Sequence, residues 1–574
     1  MKLFGPAAPS AVIGAGIIAC AGGVSPLDAQ VVSVGEVRSI DGTGNQGADL
    51  GAAGTAFSRI AVPDYGDAIN TPSGGDRPNA RVVSNALSRQ GGVSIPDPHG
   101  TTDWVWQWGQ FLDHDITLAG SGSEPFNIAV NDPTDLLHNA GSPADSIPMM
   151  RTGFDSASGL SSSNPRQQMN QITSFIDGSM VYGSDAVRAA ALRSGVGGAL
   201  TIGGDGLMMR NTGGFDNAND AHILPDATLF LGGDVRANEQ VGLTAVHTLF
   251  VWEHNRVAGE FLAANPLLDP VSDDEAIFQH ARRIVSGQIQ AITYNEFLPA
   301  LMGSTAPSLL SASYGSGVDP RISNEFSILY RLGHTLVSGD TQKVDNNGVL
   351  VETIGLDGNF FNSPTILTDP GDVGEVLKGL ASRVEQSLDS MIVEELQDFL
   401  FGPFPGAGGL DLAALNIQRG RDHGLPGYND LRTAYGLLPV GTVADITSDL
   451  DVQLALEAIY VDGMGNFDPN LIDPWLGALA EDEVGGSMLG PLLTAAMLDQ
   501  FERLRDGDRF FFLYDTENLT EAERDMIATR SLAEVIMDNT GITNLQPNVF
   551  LIPEPSTLVL LGAALFGIAL RRRR

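Results

Sequence analysis

Residues 108–120 read WGQFLDHDITLAG, an apolar segment that carries Gln110, Asp113, His114 and Asp115. Burying such groups without partners costs on the order of 1–3 kcal/mol each, so something must satisfy them. On a helix, Gln110, Asp113 and His114 stand at i, i+3 and i+4 and share one face, while Asp115 points about 100° away. Three groups therefore share one task and Asp115 has another. A second imidazole, His334, lies in FSILYRLGHTLVSG, where its apolar flanks bury it. Taken alone it reads as a satisfied core histidine. Taken with His114 it fits haem chemistry, which needs one histidine on the iron and a second, unligated one across the plane.

Composition narrows the remaining chemistry. The 574 residues include one cysteine, Cys20, so no intrachain disulfide or cysteine-rich metal site is available, and metal binding falls to histidines and carboxylates. With 32 basic against 70 acidic residues the formal charge is −38. That charge repels nucleic acid and anionic lipid and keeps the chain soluble; a solvated surface adapted to saline surroundings accounts for most of it.

The elements that must position these residues are mainly helical. Val241 to Ala264 and Ser382 to Phe401 read as long helices, and Ser272-Asp-Asp-Glu275 reads as a capping box ahead of Ile277, Ala281, Ile284, Val285, Ile289 and Ile292. Strand-like alternation is scarce and no repeat of 20–50 residues is visible. Residues 31–80, rich in Gly, Ala, Asp, Pro and Ser, read as an N-terminal arm, and 81–548 as one helical body.

Eight ordered motifs carry a resemblance: WGQFLDHD (108–115), TSFIDGSMVYGS (173–184), GDVRANE (233–239), WEHNR (252–256), YRLGHT (330–335), LNIQRGRDHGLPGYN (415–429), LRDGDRF (504–510) and DNTGIT (538–543). Together they resemble the animal-type haem peroxidases of the peroxidase–cyclooxygenase superfamily. The resemblance implies a mainly α fold around a buried haem b, and a peroxidase that reduces hydrogen peroxide and oxidises halides, thiocyanate or phenolic donors, as in a response to oxidative stress. It makes His114 the acid–base catalyst, Gln110 the group orienting peroxide and water, and Arg236 the fixed positive charge. Asp113 and Glu239 would form ester links to the haem. His334 would be the proximal iron ligand, Asn416 the acceptor for its second ring nitrogen, and Arg331 the partner of a propionate. Gln240 falls where some relatives carry a methionine joined to haem through sulfur, so two ester links are the most expected. Asp115, Thr173, Asp177, Ser179 and the carbonyl of Phe175 would bind calcium, all as oxygen donors. His247, His254, His280 and His423 are assigned no metal.

Two alternatives stand beside this reading. A fatty-acid dioxygenase of the same superfamily places a radical tyrosine three residues before the proximal histidine, where this chain has Arg331; Tyr330 lies four before. A non-catalytic, exported calcium-binding scaffold would need none of His114, Arg236, His334 or Asn416.

The terminal segments read as export signals. Residues 1–30 combine Lys2, an apolar run and small residues near Ala19, as a secretory signal does; Ile-Ile-Ala-Cys at 17–20 also fits a lipoprotein box with Cys20 lipidated, against Cys20 being discarded with the signal. The tail, 549–574, joins Pro-Glu-Pro to a short apolar helix and four arginines. About 13 apolar residues reach only about 20 Å, short of a ~30 Å hydrocarbon core. This arrangement resembles the PEP-CTERM sorting tails that bacteria cleave on export, with the membrane engaged only through the terminal segments. The protein is expected to be exported, secreted or associated with the bacterial cell envelope.

Overall fold

The computed structural model describes residues 35–138, 145–401 and 409–553. Helices dominate, and the described strands form three two-stranded antiparallel sheets, of which the longest pairs Asp340–Val344 with Leu350–Gly355. The mainly α architecture expected from the sequence is present.

The helix that matters most is Trp104–Ile116. Its Trp104, Trp108, Phe111, Leu112 and Ile116 are fully buried, each side chain contributing about 1.5–3 kcal/mol by leaving water. Trp108 packs on Phe250 and Phe111 stacks on the same ring at 5.2 Å, which docks the helix against Val241–Ala264. That second helix is buried around most of its first three turns, as befits the centre of a body rather than a surface. It packs in turn on Asp274–Ile292. The carboxylate of Asp103 anchors the N-terminus of Trp104–Ile116 by accepting from Trp106 Nε1, Ser338 Oγ and Arg383 Nε. Its negative charge also suits the positive end of the helix.

The end of the described chain clamps the same helix. Phe550 is buried against Trp104, Trp108 and Phe297, and Thr102 Oγ1 donates to the Val549 carbonyl.

Two local expectations fail. Ser272 forms no capping box, because Asp269 takes its N–H and hydroxyl; the helix begins at Asp274 without a side-chain cap bond. Residues 382–401 are not one helix. Val384, Gln386 and Ile392 form single bridges to Thr102, Pro96 and Arg89, and only Glu394–Gln397 turns helically. Tertiary pairing overrides the spacing there: Glu385 is fully buried and accepts the Trp106 N–H.

Residues 35–80 run against the body, with bridges from Ala56 to Met169 and from Ser58 to Ser323. No described helix is long and apolar enough to cross a membrane. The signal segment, Cys20 and the tail from residue 554 onward lie outside the described residues.

Candidate active site

A cavity of about 430 Å3 opens beside Trp104–Ile116, and Gln110, Asp113 and His114 all line it. Asp115, on another face, reaches the loop before Ser179–Tyr182 instead. Helical spacing alone thus separates the two tasks.

The turn at 233–240 supplies the rest of this wall. Gly233 lets it approach closely, since a Cβ there would stand 2.5 Å from the Ser179 carbonyl oxygen. Asp234 then grips Arg236 through Oδ1 to Nε (2.8 Å) and Oδ2 to Nη2 (2.9 Å). Arg236 also donates to the Thr117 carbonyl at 2.7 Å and to Asp113 Oδ2 at 3.4 Å. Its guanidinium is therefore held on both sides, and Asp234 in particular keeps it charged despite burial.

Glu239 accepts from Gln110 Nε2 at 2.9 Å and lies 3.7 Å from His114 Nε2. Gln240 donates to Gln110 Oε1 at 3.1 Å and to Gln107 Oε1 at 2.6 Å, while its own Oε1 caps the Val241–Ala264 helix at Gly242. A Cβ at Gly242 would come within 2.4 Å of Gln107 Oε1, so a larger residue there would push that amide away. Both ends of the Gln110 amide are thus fixed by the protein.

Burial sets the ionisation of this wall. It pushes Glu239 up to about 7 and raises Asp113, even with Arg236 opposing both. Burial and the Arg236 charge hold His114 well below the ordinary histidine range, so its ring is neutral at neutral pH and can accept a proton.

The Tyr330–His334 turn, following the helix Asn324–Leu329, forms another wall of the same cavity. His334 Nδ1 lies 2.9 Å from Asn416 Nδ2, and Asn416 Oδ1 accepts from Arg331 Nη1 at 3.2 Å. This differs from the expectation that Asn416 accepts from His334. Arg331 takes the amide oxygen, which leaves the amino group facing the ring. Turning the amide over exchanges its oxygen and nitrogen and gives Nδ1–H its acceptor, with Nε2 left free as a ligand. Burial and Arg331 depress His334 to about 3, keeping it neutral.

Asp115 and Asp177 meet in a second, fully buried cluster. Asp115 Oδ1 accepts from Ser179 N and Oγ, and Asp177 Oδ1 accepts from Thr173 Oγ1 at 3.3 Å. Phe175 is buried within the same loop. Burial and the Asp177 charge push Asp115 well above the usual carboxylate range, while Asp177 Oδ2 has no hydrogen-bond partner among the described residues. Two buried carboxylates with hydroxyls around them suit a hard cation. Arg38 Nη1, 3.9 Å from Asp177 Oδ2, partly answers their charge. Among the described residues there is no group of three or more His, Cys, Asp or Glu that could hold a metal ion, so the cluster would rely on hydroxyl and carbonyl oxygens.

The cavity suits haem on its own evidence. It is lined by two neutral imidazoles, His114 buried and His334 half-buried, with two elevated carboxyls on the wall that bears His114. Arg331 on the other has no carboxylate partner among the described residues; burial and Arg419 lower it to about 10, as for a cation awaiting an anion. Asp234 went unnoticed in the sequence. A carboxylate two residues before an arginine reads as a surface pair, and only its burial reveals otherwise.

A mainly helical body with His114 and His334 lining one cavity fits a haem protein of the peroxidase class. The animal haem peroxidase family model matches residues 37–550, and the chain belongs to that family of haem-dependent oxidoreductases. It is 35% identical over 537 residues to peroxinectin A of Dictyostelium discoideum, covering 90% of this chain and 96% of that protein. Lactoperoxidase of Mesocricetus auratus is 34% identical, with 89% and 77% covered. Among solved structures, peroxidase A from Dictyostelium discoideum superposes with a TM-score of 0.81 at 33% identity, covering 90% of this chain and all of that one. Oryza sativa fatty acid alpha-dioxygenase shares the fold at a TM-score of 0.72 and 21% identity, covering 90% of this chain and 88% of that one. Residues 551–574 match the PEP-CTERM protein-sorting motif.

Proposed function

We propose that the enzyme reduces hydrogen peroxide and oxidises halide, thiocyanate or phenolic donors, with haem b held between His334 and the Gln110–Asp113–His114 wall. The observation that carries this reading is the placement of His114, Arg236 and His334 around one cavity. Bound haem would supply the iron that takes up peroxide oxygen and stores two oxidising equivalents. His334 would ligate the iron through Nε2, Arg331 would pair with a propionate, and Asp113 and Glu239 would form ester links. An anion drawing Arg331 away would also release Asn416 Oδ1 to accept from His334.

The chain's own residues supply the proton chemistry. His114, neutral, takes a proton from peroxide at Nε2 and returns it to the departing oxygen, a role worth about 100- to 10,000-fold. Arg236, fixed in advance by Asp234, stabilises charge as the O–O bond breaks. Gln110 presents a fixed amide that orients peroxide and water. Calcium at Asp115, Thr173, Phe175, Asp177 and Ser179 would tie the loop before Ser179–Tyr182 to the helix bearing His114. The sorting motif supports export through envelope machinery, and the acidic body argues against a nucleic-acid partner.

A dioxygenase reading has one observation in its favour, the buried Tyr330 hydroxyl, which has no partner among the described residues and belongs to a cavity-lining residue. Arg331 at the position before the ligand where a radical tyrosine would stand, and the carboxyls of Asp113 and Glu239, favour the peroxidase. A scaffold would not need Asp234 locked onto Arg236. The test is peroxide-dependent iodide oxidation by haem-loaded protein: His114→Gln should lose about 100-fold or more, and a variant as fast as the parent would refute the assignment.

A further inference from the structure

Six aromatic rings lead away from the cavity in an unbroken series. Tyr330 lines the cavity and meets Phe501 at 6.0 Å between ring centroids. Phe501 lies 6.3 Å from Tyr294, and Tyr294 lies 5.5 Å from Phe511. Phe511 lies 5.7 Å from Tyr514, and Tyr514 lies 6.1 Å from Tyr314, a residue 37% exposed. One phenylalanine stands between the buried Tyr330 and Tyr294, and another between Tyr294 and the half-buried Tyr514. Such spacings are those of packed aromatic pairs.

The four tyrosines differ in where their protons can go. Among the described residues Tyr330 has no hydrogen-bond partner for its hydroxyl, and Tyr294 donates to the Phe501 carbonyl, which is no base. Tyr314 faces the amide oxygen of Gln46. Tyr514 donates to Asp506 Oδ1 at 3.1 Å. Arg505 grips the same carboxylate, and against the effect of burial that pairing holds Asp506 below its usual range, so it is ionised and free to take a proton. Of the four, Tyr514 is the one built to lose an electron and a proton together.

We infer that this series is an electron relay, and that Tyr514 with Tyr314 forms a surface oxidation site for phenolic donors too large to enter the cavity. The inference rests on the peroxidase reading, with hydrogen peroxide as the oxidant. An electron leaves Tyr514 inward along Phe511, Tyr294, Phe501 and Tyr330, and the phenolic proton passes to Asp506 Oδ1. A bulky phenol at Tyr314 then gives one electron to the Tyr514 phenoxyl and releases its own proton to solvent. Asp506 returns the stored proton, restoring the Tyr514 O–H bond. Two such passages supply the two electrons, and release the two protons, that reduction of hydrogen peroxide to two waters consumes.

The test compares haem-loaded parent and Tyr514→Phe with two donors, iodide and a phenol coupled to dextran, and adds electron paramagnetic resonance of peroxide-treated samples carrying ring-deuterated tyrosine. Tyr514→Phe should lower dextran-phenol oxidation by roughly tenfold or more, leave iodide oxidation within about twofold, and remove the deuterium-sensitive radical signal. Should Tyr514→Phe fold poorly, Tyr294→Phe, which breaks the series midway, should give the same split between donors. Iodide oxidation persisting with dextran-phenol oxidation and radical signal unchanged in both variants would overturn the relay alone. Absence of iodide oxidation in the parent would overturn the peroxidase reading and the relay with it.

Discussion

Asp234 holds Arg236 by two of its guanidinium nitrogens, Nε and Nη2, and its Oδ1 also lies 3.8 Å from His114 Nδ1. One buried carboxylate thus stands behind both the cation and the imidazole of the proposed peroxide site. Replacing it should displace both without touching the cavity. Asp234→Asn is expected to slow peroxide consumption about 10- to 100-fold, the scale of a small misplacement of reacting groups. Stopped-flow measurement of the haem band after mixing with peroxide checks this. Unchanged rates would remove Asp234 from the machinery.

Glu239 offers a pH test in the haem-free protein. Burial lifts its carboxyl from the ordinary 4.5 to about 7. Between those limits the unfolded chain releases a proton that the folded chain keeps, so Glu239 stabilises fully below the lower value and loses that contribution as pH rises through the upper one. The swing is about 3 kcal/mol. Glu239→Gln should match the parent near pH 4.5 and exceed it in stability at pH 8. Denaturant unfolding at both pH values reads the difference, and a constant difference would contradict the burial argument.

How much of this was legible in the sequence depends on the kind of constraint. The shared face of Gln110, Asp113 and His114 follows from helical geometry, because Trp104–Ile116 satisfies its own backbone and only the angle between side chains matters. Residues 382–401 misled for the same reason. Val384, Leu388, Ile392, Leu396 and Leu400 repeat every four positions, yet the chain there bridges to Thr102, Pro96 and Arg89. Period alone does not reveal such partners. Asp234 and the Gln107–Gln240–Gln110 series needed burial and distance, which no local pattern carries.

Ester links predict a chemical signature. After peroxide treatment and acid denaturation, haem should stay on peptides containing Asp113 and Glu239, and Asp113→Val with Glu239→Gln should release it entirely. No link should form at Gln240, whose amide is engaged with Gln107, Gln110 and Gly242. Peptide mass spectrometry decides this. Without a sulfur link, chlorination of a test substrate should also run well behind bromination at mildly acid pH.

Removing calcium should expose the cost of the Asp115–Asp177 pair. A cation at 100 times its dissociation constant stabilises by about 2.7 kcal/mol, so a chelator should lower the thermal midpoint and added calcium should restore it. Asp177→Asn should abolish that response. A midpoint indifferent to chelator would mean that Arg38 and Arg282 balance the two carboxylates without a cation.

If His334 holds a haem iron, a haem titration followed by absorbance near 400 nm shows it most directly. The parent should saturate at a single haem per chain with a sharp band, and His334→Ala should lose that band while keeping its helical circular dichroism. An alanine variant that binds haem with the parent's stoichiometry, spectrum and turnover would contradict the account.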